Sequence, residues 1–212
     1  MSKTLGCVLV AVVVVLVLVV GVGALWLTGM FNGLVAAEQS VEAQWAQVEN
    51  VYQRRADLVP NLVQTVRGAA DFERETLQNV IEARARVGQM NVSPEMLEDP
   101  QRFAQFEQAQ DQLSSALSRL LVVVERYPEL RSVPAFQDLM VQLEGTENRI
   151  SVERRRFNEV ARDFNTRLMS FPANFVVPTL GWDFEEKAYF ESQPGAEEAP
   201  EVEFDFTGED GG

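Results

Sequence analysis

Five charged residues occupy positions where the surrounding apolar repeat points a side chain into a helical bundle. They are Arg55, Glu73, Arg84, Glu147 and Arg154. Charges inside a protein are unfavourable unless they are paired, so we expect these residues to meet one another across the bundle. Unless the helix faces are misassigned, the cluster is either an ionic network that fixes helix register or the lining of a groove for a partner or ligand.

The residue types present exclude most familiar catalytic and metal sites. The chain has no histidine, and its one cysteine, Cys7, lies in an apolar run. Structural zinc, histidine-ligated haem, the di-iron sites of helical bundles and histidine-based triads are therefore excluded. Carboxylates alone could hold magnesium or calcium, but no ligand spacing points to such a site. We expect no catalytic residue, no metal and no cofactor.

A long apolar segment near the N-terminus predicts a membrane anchor. It runs from Leu5 to Leu27, and no charged residue occurs between Lys3 and Glu38. As a helix the segment is about 34 Å long, which is enough to cross a hydrocarbon core of ~30 Å. A cleavable signal peptide or a buried core helix would normally have a shorter apolar stretch. The segment therefore predicts a single pass through the cell membrane, with the lipid bilayer as a partner.

The distribution of charge bears on orientation and on partners. Lys3 precedes the anchor, whereas the first basic residue after it is Arg54, so the positive-inside rule favours a cytoplasmic N-terminus and an external domain. The net charge is −14, and residues 183–212 hold eleven acidic residues and one basic residue. Nucleic acid requires a basic surface, so no nucleic-acid partner is expected.

The region after the anchor has the apolar periodicity of four amphipathic helices. Their predicted boundaries are Leu34 to Asp57, Asp57 to Gly88, Asp99 to Tyr127, and Ser132 to Phe171. The second start combines a capping aspartate with Pro60 in the first turn. In the fourth helix, apolar residues recur at strict seven-residue intervals, a spacing typical of coiled-coil packing. These residues are Phe136, Leu143, Ile150, Phe157, Phe164 and Phe171.

Comparable helix lengths and short connections predict an all-α, antiparallel up-down four-helix bundle. An alternative joins the first two helices into one long helix that is kinked at Pro60. We divide the chain into an anchor (residues 1–28), a helical bundle (29–190) and a disordered acidic tail (191–212). Residues 173–190 are too aromatic to remain in water and should fold back on the bundle. Gly29 and Gly33 have the spacing that lets two membrane helices approach closely.

The sequence resembles the LemA family. The resemblance covers about residues 1–190 and rests on long motifs: Trp45, residues 54–63 (RRADLVPNLV), Glu73, Ala83-Arg84, Glu125-Arg126-Tyr127-Pro128, residues 146–150 (TENRI), Arg154, Phe157-Asn158, Asn165 and Phe171-Pro172. It implies an antiparallel helical bundle tethered by one span. LemA-like proteins have no agreed biochemical function and no recognised catalytic residues. The resemblance also implies a short N-terminus outside the cell, opposite to the orientation that the charges favour.

Together these features favour a membrane-anchored scaffold or adaptor that has no enzymatic activity. It would bind other membrane proteins or further copies of itself. A membrane-tethered sensor or ligand-binding bundle, using the interior charges, is the alternative.

Overall fold

The computed structural model describes residues 2–68, 73–90 and 92–191, and this part of the chain contains helices and no strand. The all-α class is therefore confirmed. The helices are α1 (Ser2–Arg67), α2 (Arg74–Gly88), α3 (Pro100–Val124), α4 (Pro128–Arg131), α5 (Pro134–Met169) and α6 (Ala173–Leu180), with a 3-10 helix at Pro94–Glu98. The predicted acidic tail lies outside the described residues, apart from Glu191.

Helix α1 is continuous from the apolar segment into the bundle and is 66 residues long. The break predicted at Asp57 and Pro60 was wrong, because α1 runs through both residues. The alternative of one long helix holds only as far as Arg67, since the predicted second helix divides there and α2 begins separately at Arg74. Pro60 has no N–H to donate to the carbonyl of Ala56, one turn earlier. The guanidinium of Arg84 on α2 donates to that carbonyl instead, with Nε 3.3 Å from the oxygen. The buried side chains of Val59 and Val63 hold the helix on the core at either side of the proline.

The predicted starts of the later helices are confirmed. Asp99 accepts hydrogen bonds from the backbone N–H groups of Gln101 and Arg102, at 3.0 and 3.1 Å, and so caps α3. Pro100 occupies the first helical position, where no donor is needed. Pro134 begins α5 in the same manner.

The order of contacts along the helices gives their directions. Helix α3 runs parallel to α1, whereas α2 and α5 run antiparallel to both. The contacting pairs are Trp45–Phe103 and Tyr52–Phe106 for α1 with α3, Gln44–Glu153 and Arg55–Glu147 for α1 with α5, and Arg86–Gln112 and Glu73–Arg126 for α2 with α3 and the residues just after it. The C-terminal end of α5 therefore returns towards the apolar segment of α1.

The buried apolar residues form two clusters, one above the other along the bundle. The aromatic core, which is nearer the apolar segment, includes Trp45, Tyr52, Phe103, Phe106, Ile150, Phe157, Phe164 and Phe190. The aliphatic core includes Val59, Val66, Val80, Leu113, Leu120 and Leu143. Of the six residues at seven-residue spacing, the five that lie in α5 are buried in these clusters, whereas Phe171 follows the end of α5 and is 85% exposed.

The region after α5 folds back on the bundle, as predicted. Helix α6 buries Ala173 and Val177, and Gly181 ends it in the left-handed conformation (φ 66°) that glycine adopts without strain. Residues 182–191, which we call the strap, then run extended over the aromatic core. Phe190 enters that core, and the backbone N–H of Ala188 donates to the carbonyl of Leu97 at 2.8 Å.

Candidate functional site

Arg55 is the centre of a polar layer between the two cores, and its side chain is 1% exposed. Its Nη1 donates to Ser114 Oγ at 2.5 Å and to Glu147 Oε1 at 2.9 Å. Its Nη2 donates to Gln110 Oε1 at 2.5 Å and to the Gln110 carbonyl at 3.2 Å. We call these four residues of α1, α3 and α5 the polar layer. It joins three helices at one level, because each contributes a polar group between apolar neighbours.

Arg154 forms a second ion pair one level nearer the apolar segment. Its guanidinium is hydrogen-bonded to Glu107, lies 3.8 Å from Asp111 and sits 4.5 Å from the centre of the Phe190 ring. Burial raises the pKa of the Glu107 carboxyl, although the neighbouring Arg154 charge opposes the rise. Arg154 therefore connects α5 to α3 and holds the end of the strap by a cation–π contact.

Tyr52 lies between the two arginines, with the Arg55 guanidinium 5.2 Å from its ring centre. Burial raises the pKa of the Tyr52 hydroxyl to about 12, although the charges of Arg154 and Arg55 oppose the rise. Among the described residues its oxygen has no hydrogen-bond partner, and neither has Trp45 Nε1. A tyrosine with this pKa keeps its proton at neutral pH, so Tyr52 is unsuited to act as a general base there.

The five charged residues do not all meet one another, contrary to the prediction from the sequence. Arg55 and Glu147 pair with each other, whereas Arg154 pairs with Glu107 and Asp111. Glu73 and Arg84 lie at the surface. Glu73 precedes the first turn of α2 and pairs with Arg126 at 2.8 Å, both side chains being well exposed. Helix α2 buries Leu77, Val80 and Ala83, which puts Arg84 beside the buried stripe and not within it. The sequence pattern had placed Glu73 on the buried face of this helix. Because α2 begins at Arg74, Glu73 lies outside the helix and the helical periodicity does not apply to it.

Gly29 and Gly33 lie on α1 just beyond the apolar segment. Gly29 is exposed and Gly33 is half-buried. A Cβ built at either position meets no atom within 4 Å, so nothing inside the chain requires glycine there. Contact between two membrane helices at this pair stays a prediction.

Lys187 forms a buried charge cluster that the sequence did not reveal. Its side chain is 4% exposed, and Nζ donates to Glu38 on α1 at 2.9 Å and to Glu98 at 2.5 Å. Burial alone lowers the pKa of Lys187, but the hydrogen bonds that its ammonium donates to Glu98 and Glu38 outweigh burial and raise the pKa. One signal was available: Lys187 is one of only two lysines in the chain and stands among aromatic and acidic residues.

Two asparagines of α5 fix the strap through its backbone. Asn165 accepts from the Lys187 N–H at 2.9 Å and donates to the Lys187 carbonyl at 2.8 Å. Asn158 forms the same pair of bonds with Phe190, at 3.0 and 2.9 Å. These amide clasps satisfy backbone groups that burial would otherwise leave unpaired. Sequence periodicity could not reveal them, because the strap has no regular repeat.

A groove of about 1010 Å³ opens between α2, α3 and the strap. Its lining carries both signs of charge. The charged lining residues are Glu82, Arg86, Glu107, Asp111, Arg119, Glu186, Lys187 and Glu191. The apolar floor includes Phe103, Ala104 and Ala116. Of the residues singled out from the sequence for interior positions, none lines the groove, so it is a separate site from the polar layer.

Helix α1 is, among the described residues, the one helix long and apolar enough to cross a membrane. Its large apolar side chains from Val8 to Val22 are about half to two-thirds exposed. Within the same part of the chain, no group of three or more histidine, cysteine, aspartate or glutamate side chains is placed to hold a metal ion. The structure thus offers an apolar surface for lipid on the N-terminal part of α1 and, separately, a charged groove between α2, α3 and the strap.

Comparison with known proteins identifies the family. Magnetosome proteins MamQ 1 and MamQ 2 of Paramagnetospirillum magneticum are each 25% identical over 183 residues, which cover 79% of this chain and 66% of each relative. The chain thus spans just under two thirds of the length of these relatives. Protein LemA of Metamycoplasma hominis is 21% identical over 164 residues, covering 76% of this chain and 69% of that protein. The sequence model of the LemA family matches residues 44–204. The chain belongs to the LemA family.

Proposed function

We propose that the chain is a single-pass membrane adaptor without enzymatic activity, which binds a segment of another protein in the groove between α2, α3 and the strap. The continuity of α1 supports the anchoring part. One unbroken helix carries both the apolar segment and the buried residues of the bundle, so the bundle stays close to the bilayer. The groove is then presented to the water beside the membrane.

The groove is the observation that carries the binding role. Its volume is at the upper end of the ~300–1,000 Å³ typical of small-molecule pockets, and it is partly open to solvent. Arg119 lies on α3 with Glu107 and Asp111, and Arg86 lies on α2 across the groove, over an apolar floor. An apolar centre with a charged rim of both signs is typical of a surface that binds protein.

The interior charges support a structural role for the polar layer. Arg55 is enclosed and its two terminal nitrogens are bonded to protein oxygens, so it does not face a ligand. A polar layer between two apolar cores penalises any shift of one helix along another, because a shift would leave these groups unpaired. We assign this layer to helix register and the groove to binding.

The proposal of no enzymatic activity draws on the residue types. The chain has no histidine, and Cys7 lies within the apolar segment. The pKa of the buried Tyr52 hydroxyl is raised and not lowered, so this group keeps its proton at neutral pH and is not suited to act as a general base.

A photoreactive residue at Gln108 tests the adaptor role in intact membranes. Gln108 is exposed and lines the groove, whereas Gln142 on α5 is exposed and lies away from it. We expect discrete crosslinked products from Gln108 and few from the matched label at Gln142. A product of twice the monomer mass would identify a second copy as the partner. Equal labelling patterns at the two positions would contradict a specific docking groove.

A small charged ligand in the same groove is the second candidate, favoured by the opposed charges of its walls. It would make the chain a membrane-tethered sensor. Two results together would favour this candidate. No protein adduct would form at Gln108, and a compound from a small-molecule library would raise the melting temperature of the parent chain but not that of Arg86→Met.

The predicted orientation, with the N-terminus in the cytoplasm, is tested by whether external protease removes the C-terminal tail from intact cells.

A further inference from the structure

We propose that the end of the bundle beside the apolar segment inserts into the interfacial layer of the bilayer that α1 crosses. This end, which we call the apolar cap, consists of Met169, Phe171, Phe175 and Leu180. The chain would then hold the membrane at two places, through the α1 span and through the cap. The inference depends on the proposed anchoring of α1.

The position of the cap follows from the helix directions. Helix α5 runs antiparallel to α1, so its C-terminal end and α6 return to the place where α1 leaves the apolar segment. The ring of Trp182, just after α6, lies 4.9 Å from the ring of Phe31, centre to centre. Phe31 is four residues beyond Leu27, which is about 6 Å along a helix. The cap therefore lies at the depth of a bilayer interface.

The side chains of the cap are exposed, although Leu168, Ala173 and Val177 in the same stretch of the chain are buried. Phe171 is 85% exposed, Phe175 65%, Met169 60% and Leu180 50%. Helix α6 is one-sided, because it buries Ala173 and Val177 in the aromatic core and turns Phe175 outwards. Large adjoining apolar side chains at a protein surface mark a contact with lipid or with another molecule.

The charge pattern favours lipid as the occupant. Residues 168–182 contain no charged side chain, and neither does α1 from Thr4 to Ala37. Insertion of the cap would therefore take no charge out of water. Exposed Trp26 and the partly exposed ring of Trp182 stand at the same end, and tryptophan is enriched at the interfaces of bilayers. The cap also lies at the end of the bundle next to the span, so the bilayer would lie beside it without a further binding event.

A depth measurement on the intact chain tests the cap. In a Cys7→Ser background, a single cysteine replaces Phe175 or Leu180 and carries an environment-sensitive fluorophore. Each exposed side chain is outside the core, so the fold should tolerate the label. The protein is reconstituted in phosphatidylcholine vesicles without nitroxide, or with a mixture of lipids that carry the nitroxide at the top and near the end of the acyl chain, so that both the interface and the middle of the span are within reach. We expect the nitroxide lipid to cause a large loss of fluorescence at both positions.

Two matched positions make the result decisive. Leu18→Cys reports the span itself, and Val141→Cys reports an exposed apolar site at the far end of α5. Strong quenching at 18, 175 and 180 with little at 141 supports the cap. Quenching at 18 without quenching at 175 and 180 overturns the cap and leaves the anchor intact, with a second copy or a soluble partner as the occupant. Absence of quenching at 18 removes the anchor, and the cap falls with it.

Discussion

The guanidinium of Arg55 lies 2.9 Å from the carboxylate of Glu147, although the two side chains have different environments. That of Arg55 is 1% exposed, whereas that of Glu147 is 40% exposed. The carboxylate therefore keeps part of its hydration while it neutralises a buried charge. The remaining bonds of Arg55 go to Ser114 and Gln110 of α3, so the stability of this layer depends more on the arginine than on the glutamate.

We expect Arg55→Met to lower the free energy of unfolding by about 2–4 kcal/mol, because it leaves the buried Gln110 side chain without its donor. The matched control is Arg149→Met, an exposed arginine of α5, which should change stability by less than about 0.5 kcal/mol. Glu147→Gln should cost less than Arg55→Met, since water can reach the remaining side chain. Denaturant unfolding of the intact chain in detergent micelles, followed by circular dichroism, measures all three. A loss at Arg55 no larger than at Arg149 would contradict a buried polar layer.

Arg84 and Pro60 form a second relationship, which a double-mutant cycle can test. In the parent chain Arg84→Met leaves the Ala56 carbonyl without a donor and should cost about 0.5–1.5 kcal/mol. Pro60→Ala restores the helical N–H and should stabilise α1 by about 1–3 kcal/mol.

The coupling between these two changes is the informative quantity. In the Pro60→Ala background the alanine N–H bonds the Ala56 carbonyl, so the loss caused by Arg84→Met should shrink markedly. The same unfolding measurement applies to the four proteins of the cycle. An equal loss in both backgrounds would show that Arg84 does not serve the carbonyl that the proline frees.

The sequence predicted those parts of the fold that depend on local rules. The starts at Asp99-Pro100 and Pro134 follow from capping and from the missing donor of proline, which need no knowledge of the tertiary structure. The seven-residue spacing from Phe136 to Phe164 identified the buried stripe of α5, because a long helix in a bundle must bury one continuous face. The return of residues 173–190 to the bundle followed from their aromatic content alone.

Other features depended on contacts between distant segments. Pro60 resembles a helix start, and only the position of Arg84 on a different helix shows how the freed carbonyl is bonded. Glu73 has the sequence spacing of a buried position of α2, but the helix begins one residue later, so that spacing does not place it in the interior. Lys187 lies in a segment without periodicity, so its place between Glu38 and Glu98 could not be derived from spacing. The groove exists because the strap covers α3, and no local pattern specifies that.

The raised pKa of Tyr52 predicts a loss of stability at high pH. The folded chain holds this proton more tightly than the unfolded chain, in which the pKa is 10.0, so the contribution is complete below pH 10 and is lost as the pH rises through the folded pKa of about 12. A difference of this size corresponds to roughly 2–3 kcal/mol. Tyr52→Phe has no proton to lose, and should remove this part of the decline.

The comparison is between the parent chain and Tyr52→Phe at about pH 8 and about pH 12. Lys187 also has a raised pKa, so it loses its contribution in the alkaline range in both proteins and cancels in the difference. At about pH 8 the two proteins should have similar stability, since the Tyr52 hydroxyl has no hydrogen-bond partner among the described residues. A pH dependence that is the same in both proteins would count against a buried neutral tyrosine.

The strap should detach from the bundle when its asparagine clasp is broken. The side-chain amide of Asn165 donates a hydrogen bond to the carbonyl oxygen of Lys187. Asn165→Asp puts a carboxylate oxygen in place of that donor, and the two oxygens repel each other. We expect amide hydrogen exchange in residues 182–191 to accelerate by about ten-fold or more, equivalent to a local loss of about 1.4 kcal/mol. Asn148→Asp, an exposed site on the same helix with the same change of charge, should leave the exchange rates unaltered. Faster exchange in α2 and α3 to the same extent as in the strap would mean that the whole bundle had loosened, and would rule out a local clasp.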